Sequence, residues 1–424
     1  MKKAFAVMGY NNTRINDVNT IKNIACSVYD ADIILCKDII TEEDKNLISN
    51  TIEVDLLGNS IGPITSYLKK NDFELIGVLP FSDRGVPLGS LLAQHFSLPG
   101  DQGGEMAEAC IKKSKFRNIE SQTELPNWYK KVDYLYTTTR EGIESFYEKH
   151  KVFFIKPNSE GNSRGCMMIS SIEDLTYWLD VFHEYVPHGV LCEELIDGLH
   201  EYSYDAVGSY EWITEKKTTD GRFKGEYNHI SPAPLSKEMY NRLIEAGRAV
   251  KNMIGSVNGA NHHEFFINKD YTISCVEPNR RPAGAKVFLF GEQLYDSLES
   301  SYEEWMRSLS KVEDNTSKEN GSTNLLNENV VGFRWFRADK EMIIPETNFE
   351  NLNTYIKEKY NTKIIDLFFN VKSGDKITNN IQDNSHFLGH VYAKATSYSE
   401  LMDMLDDIEK YVVNHLCNVA VSKY

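Results

Sequence analysis

The chain has 424 residues, 41% of them hydrophobic and 25% charged, ordinary values for a globular enzyme of roughly two to three domains. A formal net charge of −16 argues against a nucleic-acid binder, so any polyphosphate partner has to meet a local cluster of Lys and Arg. No apolar run reaches the roughly 18–20 residues of a membrane span, and seven cysteines without a Cys-x-x-Cys pair fit small core thiols in a reducing cytoplasm.

The first apolar run, Ala4 to Met8, reads as a buried strand rather than a secretion signal, because Tyr10-Asn11-Asn12-Thr13-Arg14 cuts it short. Helix over Asn16 to Val28, strand over Asp32 to Cys36 and helix over Ile61 to Lys69 follow. Strand over Leu75 to Leu79 and helix over Leu88 to Phe96 complete the series. This alternation predicts a parallel α/β domain over residues 1–110. No G-x-G-x-x-G follows its first strand, which argues against a dinucleotide site there.

A second region, residues 111–310, divides near 190. It begins with a helix from Thr139 to Lys149 and a strand from Val152 to Lys156. A returning strand from Cys166 to Ile169 follows, then a helix to Phe182 capped near Ser170-Ser171 with acids in its first turn. Residues 191–310 are strand-rich. The polar stretch 311–329 reads as a flexible linker. Residues 330–424 form a closing α+β unit, with strands over Val330 to Arg337 and His390 to Lys394 and a last helix from Ser397 to His415.

The strongest chemical signal is a hairpin. His263-Glu264-Phe265-Phe266-Ile267 and Tyr271 to Glu277 are strand-like runs around a polar turn, Asn268-Lys269-Asp270. Such a hairpin sets Glu264 beside Glu277, and Asn279 lies two residues on, at the same-face period of a strand. Two carboxylates and an amide oxygen form a hard site suited to Mg²⁺. Arg281 follows, able to grip a carboxylate or phosphate. One glutamate per strand also describes a plain solvated face, so other elements must add weight. Lys156 supplies some. It closes a buried strand and precedes a Gly/Ser loop, Ser159, Gly161, Ser163 and Gly165, whose N–H groups could wrap phosphate oxygens. It is not a Walker A loop. The acidic stretch Glu193-Glu194-Leu195-Ile196, with Glu201 beyond, offers groups for a base and a ribose.

In this order the elements resemble the ATP-grasp superfamily. The likeness is to its carboxylate–amine ligases, including the bacterial L-amino-acid (dipeptide) ligases, with biotin carboxylase more distant. It rests on Lys156-Pro157 with Ser163-Arg164-Gly165, on Glu193 to Gly198 with Glu201, and on Glu277-Pro278-Asn279-Arg280-Arg281-Pro282-Ala283-Gly284. The resemblance implies an N-terminal α/β domain, a two-part nucleotide-binding core and a C-terminal lid, and ATP with Mg²⁺, two ions or Mn²⁺ in its place, as cofactors. It assigns Lys113 to a nucleotide phosphate, with Lys112 and Lys115 as alternatives. Lys156 would hold the α- and β-phosphates, and Ser159 to Gly165 would close over the triphosphate. Glu193, Glu194 and Ile196 would meet adenine and Glu201 the ribose. Glu264, Glu277 and Asn279 would hold the metal, Arg281 the acyl phosphate, and His229 would face the substrate. The implied reaction activates a carboxylate as an acyl phosphate and passes it to an amine. A carrier-protein thiol as acceptor, or a kinase that stops at phosphoryl transfer, are the alternatives. Amino-acid substrates and a homodimer complete what the resemblance implies, while charge and the lack of long apolar runs argue against nucleic acid and membrane as partners.

Overall fold

The computed structural model describes residues 1–161, 164–220, 225–311, 327–381 and 384–418. Ser163 and most of the proposed linker fall outside these residues. Among the described residues no helix is long and apolar enough to cross a membrane.

The N-terminal sheet has four parallel strands, β1 (Lys2–Met8), β2 (Ala31–Lys37), β3 (Thr51–Glu53) and β4 (Phe73–Pro80), in the order β3-β2-β1-β4. Ala4 to Met8 are fully buried, as expected of a strand covered on both faces. The alternation read from the sequence is borne out, with β3 and the short helix Glu42–Leu47 added. Strand order reverses between β1 and β4, and the loop Phe81 to Arg84 leaves β4 at that crevice, where α/β sheets place their ligands.

A second sheet holds β5 (Tyr134–Thr137), β6 (Phe153–Pro157), β7 (Met167–Ile169) and β8 (Val190–Glu194), ordered β5-β8-β6-β7 and antiparallel throughout. Helices Arg140–His150 and Ile172–Val181 cover it around Phe146, Phe153 and Trp178. The predicted cap is Ser171, whose hydroxyl accepts from Asp174 N at 3.1 Å.

The third sheet has eight strands. They are β9 (Gly198–Val207), β10 (Tyr210–Thr218), β11 (Glu226–Ser231), β12 (Asn261–Asn268), β13 (Ile273–Asn279), β14 (Val330–Phe336), β16 (Ile364–Phe369) and β18 (Gly389–Ala395). Their order is β13-β12-β9-β10-β11-β14-β18-β16. Strands after residue 330 therefore continue the same sheet through the β11–β14 pairing. The two-residue strands β15 (Met342–Ile343) and β17 (Lys376–Ile377) pair with each other outside it. Helix Lys237–Met253 packs its apolar stripe on β9, β12 and β13 around Tyr204 and Phe265, and Tyr398–Asn418 covers β14 and β18.

Candidate active site

The hairpin forms as the alternation predicts. Strands β12 and β13 pair antiparallel with Glu264 opposite Glu277 and His262 opposite Asn279, so the four residues share a face. Neighbouring His263 turns the other way, is fully buried and stacks on Tyr204 with centroids 5.6 Å apart. Burial, with the charge of His262 adding, pushes its pKa down to about 3.

Lys113 reaches this face from the first turn of the helix Lys113–Gln122. Its Nζ lies 3.2 Å from Glu277 Oε1 and donates to the Glu160 carbonyl at 2.7 Å, linking the hairpin to the loop after β6. Burial works against this ammonium, but Glu277 outweighs it and holds the pKa above the ordinary lysine value. Lys112 and Lys115 instead meet Glu108 at 3.0 and 2.7 Å on the outer side. Among the three lysines, Lys113 is the one on the hairpin side.

Lys156 is the next-to-last residue of β6, one short of the end expected for it, and its Nζ sits 2.6 Å from Glu193 Oε2 on adjacent β8. Arg117 Nε takes the other oxygen, Oε1, at 2.6 Å, and binds Glu120 through Nη1 at 2.7 Å. Burial alone would raise the Glu193 pKa, yet these two cations bring it down to about 2. The Glu193 carboxylate is thus committed to Lys156 and Arg117 rather than turned toward a base edge. Adjacent Glu194 accepts from Asp133 N at 3.1 Å, and the stretch from Leu195 to Asp197, with Leu195 exposed and Ile196 half-buried, runs without regular structure into β9.

Glu201 is also engaged. Lys216 on β10, whose side chain has no exposed surface, lies 2.7 Å from carboxylate oxygens of Glu201, Glu226 and Glu264. Those three acids come within 4.8 Å of one another, a spacing that would suit a cation, and the lysine ammonium already occupies that role. Burial and the two neighbouring carboxylates push Glu201 up, whereas Lys216 and His262 overcome burial and hold Glu264 well below the carboxylate range. Behind Glu264, His262 Nδ1 meets Asp205 Oδ1 at 2.6 Å. His229 faces the same cluster, with Nε2 3.1 Å from Glu226 and Nδ1 buried without a partner among the described residues. Burial lowers its pKa, so the ring is neutral at pH 7. Sequence reading missed Lys216 and Glu226, which meet Glu264 only through the β12-β9-β10-β11 order.

Arg281 extends past β13 toward the loop after β4, where its Nε meets both oxygens of Asp83 at 2.8 and 2.9 Å. Of the loop proposed to close over phosphates, Ser159 and Gly161 are exposed. Gly165 is an anchor instead: its φ is +68° and its carbonyl accepts from Trp178 Nε1 at 2.8 Å. The set Glu264, Glu277 and Asn279 offers only hard oxygens on one face beside two lysines, a donor chemistry that fits Mg²⁺.

No protein-family profile matches the chain. Its architecture superposes on an L-amino acid ligase from Bacillus licheniformis over 97% of both chains, with a TM-score of 0.74 at 16% identity. The fold is that of the ATP-grasp enzymes. A carboxyaminoimidazole ribonucleotide synthase from Aspergillus clavatus, solved with ATP, matches 97% of this chain and 99% of its own with a TM-score of 0.68 at 10% identity. By sequence, a D-alanine–D-alanine ligase of Geobacter sulfurreducens is 26% identical over 145 residues, 32% of this chain. The chain matches 45% of the length of that curated relative. The resemblance read from the residues is therefore borne out for the fold.

Proposed function

We propose that this chain is an ATP-dependent ligase that joins a carboxylate, most simply that of an amino acid, to an amine. One observation carries the reading: Lys113 and Lys216 meet the hairpin carboxylates Glu277 and Glu264, and Arg281 and Lys156, matched to Asp83 and Glu193, bring two further cations from the end of the hairpin and from β6. The likeness to the L-amino acid ligase supports it.

A free carboxylate is a poor acyl donor because oxide does not leave. The substrate carboxylate attacks the γ-phosphoryl group of ATP, the bond to the β-phosphate oxygen breaks, and ADP departs. The amine then attacks the acyl carbon, phosphate leaves with the bonding pair, and the amine proton is lost to base. Negative charge accumulates in the first step. Lys113 and Lys156 meet the nucleotide phosphates, and Arg281 meets the acyl phosphate. Glu264, Glu277 and Asn279 would hold Mg²⁺, which neutralises phosphoryl oxygens when bound. Neutral His229, with Glu226 behind it, orients the substrate. Amino-acid pairs lead as substrates, and ATP is consumed to ADP and phosphate.

The test is ATP consumption against amino acids singly and in pairs, reading ADP, AMP, phosphate and product mass together. ADP and phosphate released only with particular pairs, with a product of the summed mass less water, is the expected result. AMP and pyrophosphate would overturn the mechanism, and phosphate released with one acid alone would favour the kinase reading. Glu277→Gln should lower kcat by roughly 10²-fold, the loss of one preorganised charge-stabilising group. Near-wild-type turnover in that variant would remove the metal assignment.

A further inference from the structure

We infer that Asp83, contributed by the N-terminal sheet, is the positioning residue that sets the orientation of both Arg281 and Asn279. This inference rests on the ligase reading for the roles of those two residues, but its geometry stands apart from it.

Asp83 sits in the loop that leaves β4 at the switch point of the parallel sheet. The loop is fixed by Gly85 N donating to the Ser82 carbonyl at 3.0 Å and by Val86 N donating to the Asp83 carbonyl at 3.1 Å. Its carboxylate, one-third exposed, faces the end of β13. Both oxygens accept from Arg281 Nε, at 2.8 and 2.9 Å. A single N–H shared between two carboxylate oxygens anchors Nε in place while leaving both Nη groups off the carboxylate. Of these, Nη1 makes a long contact of 3.3 Å to the Pro282 carbonyl, and Nη2 makes no hydrogen bond among the described residues. The guanidinium thus keeps a donor edge for an incoming oxyanion.

The same carboxylate acts on Asn279. Oriented by its hydrogen bonds, the Asn279 amide nitrogen donates to Asp83 Oδ1 at 2.9 Å and to the Pro278 carbonyl at 3.3 Å. The amide oxygen is therefore the end turned away from Asp83 and left free to meet a cation. Without Asp83, only the longer contact to the Pro278 carbonyl distinguishes the two ends of the amide. One carboxylate from a separate sheet thus sets the polarity of two groups that follow each other along the hairpin. Substrate binding would then register whether the N-terminal sheet is seated on the nucleotide-binding part.

The alternative is that Asp83 only docks the two parts together. A double-mutant cycle separates the two. In the full chain, Asp83→Ala should raise KM for the stimulating acid and lower kcat, together cutting kcat/KM by roughly 10-fold or more, the worth of a charge-assisted hydrogen bond. Binding of ADP without added divalent cation, followed by calorimetry, should stay within about twofold, as Asp83 makes no hydrogen bond or ion pair to Lys113 or Lys156 among the described residues. In an Arg281→Ala background, Asp83→Ala should cost clearly less than in the wild type, the remainder being its effect through Asn279. Labelling by phenylglyoxal, read at Arg281 by mass spectrometry, should be several-fold faster in Asp83→Ala than in the wild type, and needs no turnover. Unchanged labelling, wild-type kinetics in Asp83→Ala, or an equal loss in the Arg281→Ala background would overturn the inference. A wild type that releases ADP with no acid at all would instead remove the ligase reading, and the labelling would still decide the role of Asp83.

Discussion

Replacing Lys216 with Met removes the ammonium held between three carboxylates and leaves Glu201, Glu226 and Glu264 facing one another. Their oxygens lie within 4.8 Å of each other. At that distance and an effective dielectric of about 20, each pair repels by roughly 3 kcal/mol, or roughly 10 for the three. Protonating one carboxylate is the cheaper escape, and it leaves one repelling pair, roughly 3 kcal/mol. Burial and its neighbours already hold Glu201 up to about 7, so the wild type loses that proton as pH rises through 7 while the variant keeps it. Above pH 7 the folded variant therefore binds about one more proton than the wild type does. A group whose folded pKa is raised stabilises less as pH rises, so the penalty of the substitution grows there by up to about 1.4 kcal/mol per pH unit. For a cooperative unit of 150–250 residues, Tm should fall by roughly 6–12 °C at pH 7 and by about half as much again at pH 8.5. Differential scanning fluorimetry of Lys216→Met and wild type at constant ionic strength measures both. Added Ca²⁺ should also raise the Tm of the variant more than that of the wild type, because the emptied nest presents three hard oxygens. An equal penalty at both pH values would refute the reasoning, since it would mean that the carboxylates separate rather than titrate.

The three candidate lysines should separate in kinetics. Lys113→Met should raise KM for ATP roughly 10-fold or more, by loss of a charge-assisted contact. Lys112→Met and Lys115→Met break only the surface pairs with Glu108, worth under about 1 kcal/mol, and should leave KM within about fivefold. A comparable rise for Lys115→Met would move the assignment. The two loop glycines should also part company. At Gly165 a Cβ would come within 2.7 Å of Pro157 and 2.8 Å of Tyr185 on a backbone with φ of +68°. Gly165→Ala should therefore destabilise the chain by about 2–4 kcal/mol. A Cβ at Gly161 meets nothing within 4 Å, so Gly161→Ala should leave the unfolding midpoint in urea unchanged.

What the sequence made legible was local. Strand alternation placed Glu264, Glu277 and Asn279 on one face because a hairpin's register follows from its own residues and turn. Lys156 was found because an apolar run ends on it. Lys113 was ambiguous because it starts a helix without a side-chain cap, so three nearby lysines looked alike until the helix Lys113–Gln122 fixed their directions. Lys216 sits in Glu215-Lys216-Lys217, which reads as a charged strand end. Its burial becomes visible only when β9 separates β10 from β12. Asp83 and Arg117 lie 198 and 76 residues from their partners Arg281 and Glu193, and no spacing rule reaches that far. Glu193 was read as an open acid for the same reason: the two cations that occupy it come from other elements.

The charges of the site have a common logic. Each group proposed to meet a ligand is already matched by an internal partner: Lys113 by Glu277, Lys156 by Glu193, Arg281 by Asp83, and Glu264 by Lys216. Buried charges demand this, because a lone one costs several kcal/mol. The pairs differ in how easily they exchange. Glu193 is held by Arg117 as well as Lys156, so Lys156 can shift toward a phosphate without leaving a carboxylate unpaired. Among the described residues Glu277 has only Lys113 as an ion-pair partner, and it is the more exposed of the two hairpin acids, at 28% against 16%. Drawing Lys113 to a phosphate therefore uncovers Glu277 unless a cation arrives with the nucleotide. Magnesium-bound ATP supplies that cation, whereas free ATP does not. On the ligase reading proposed above, the site would favour the metal complex over the bare nucleotide before any step of chemistry, through an ion pair on the hairpin whose carboxylate has no second cation among the described residues.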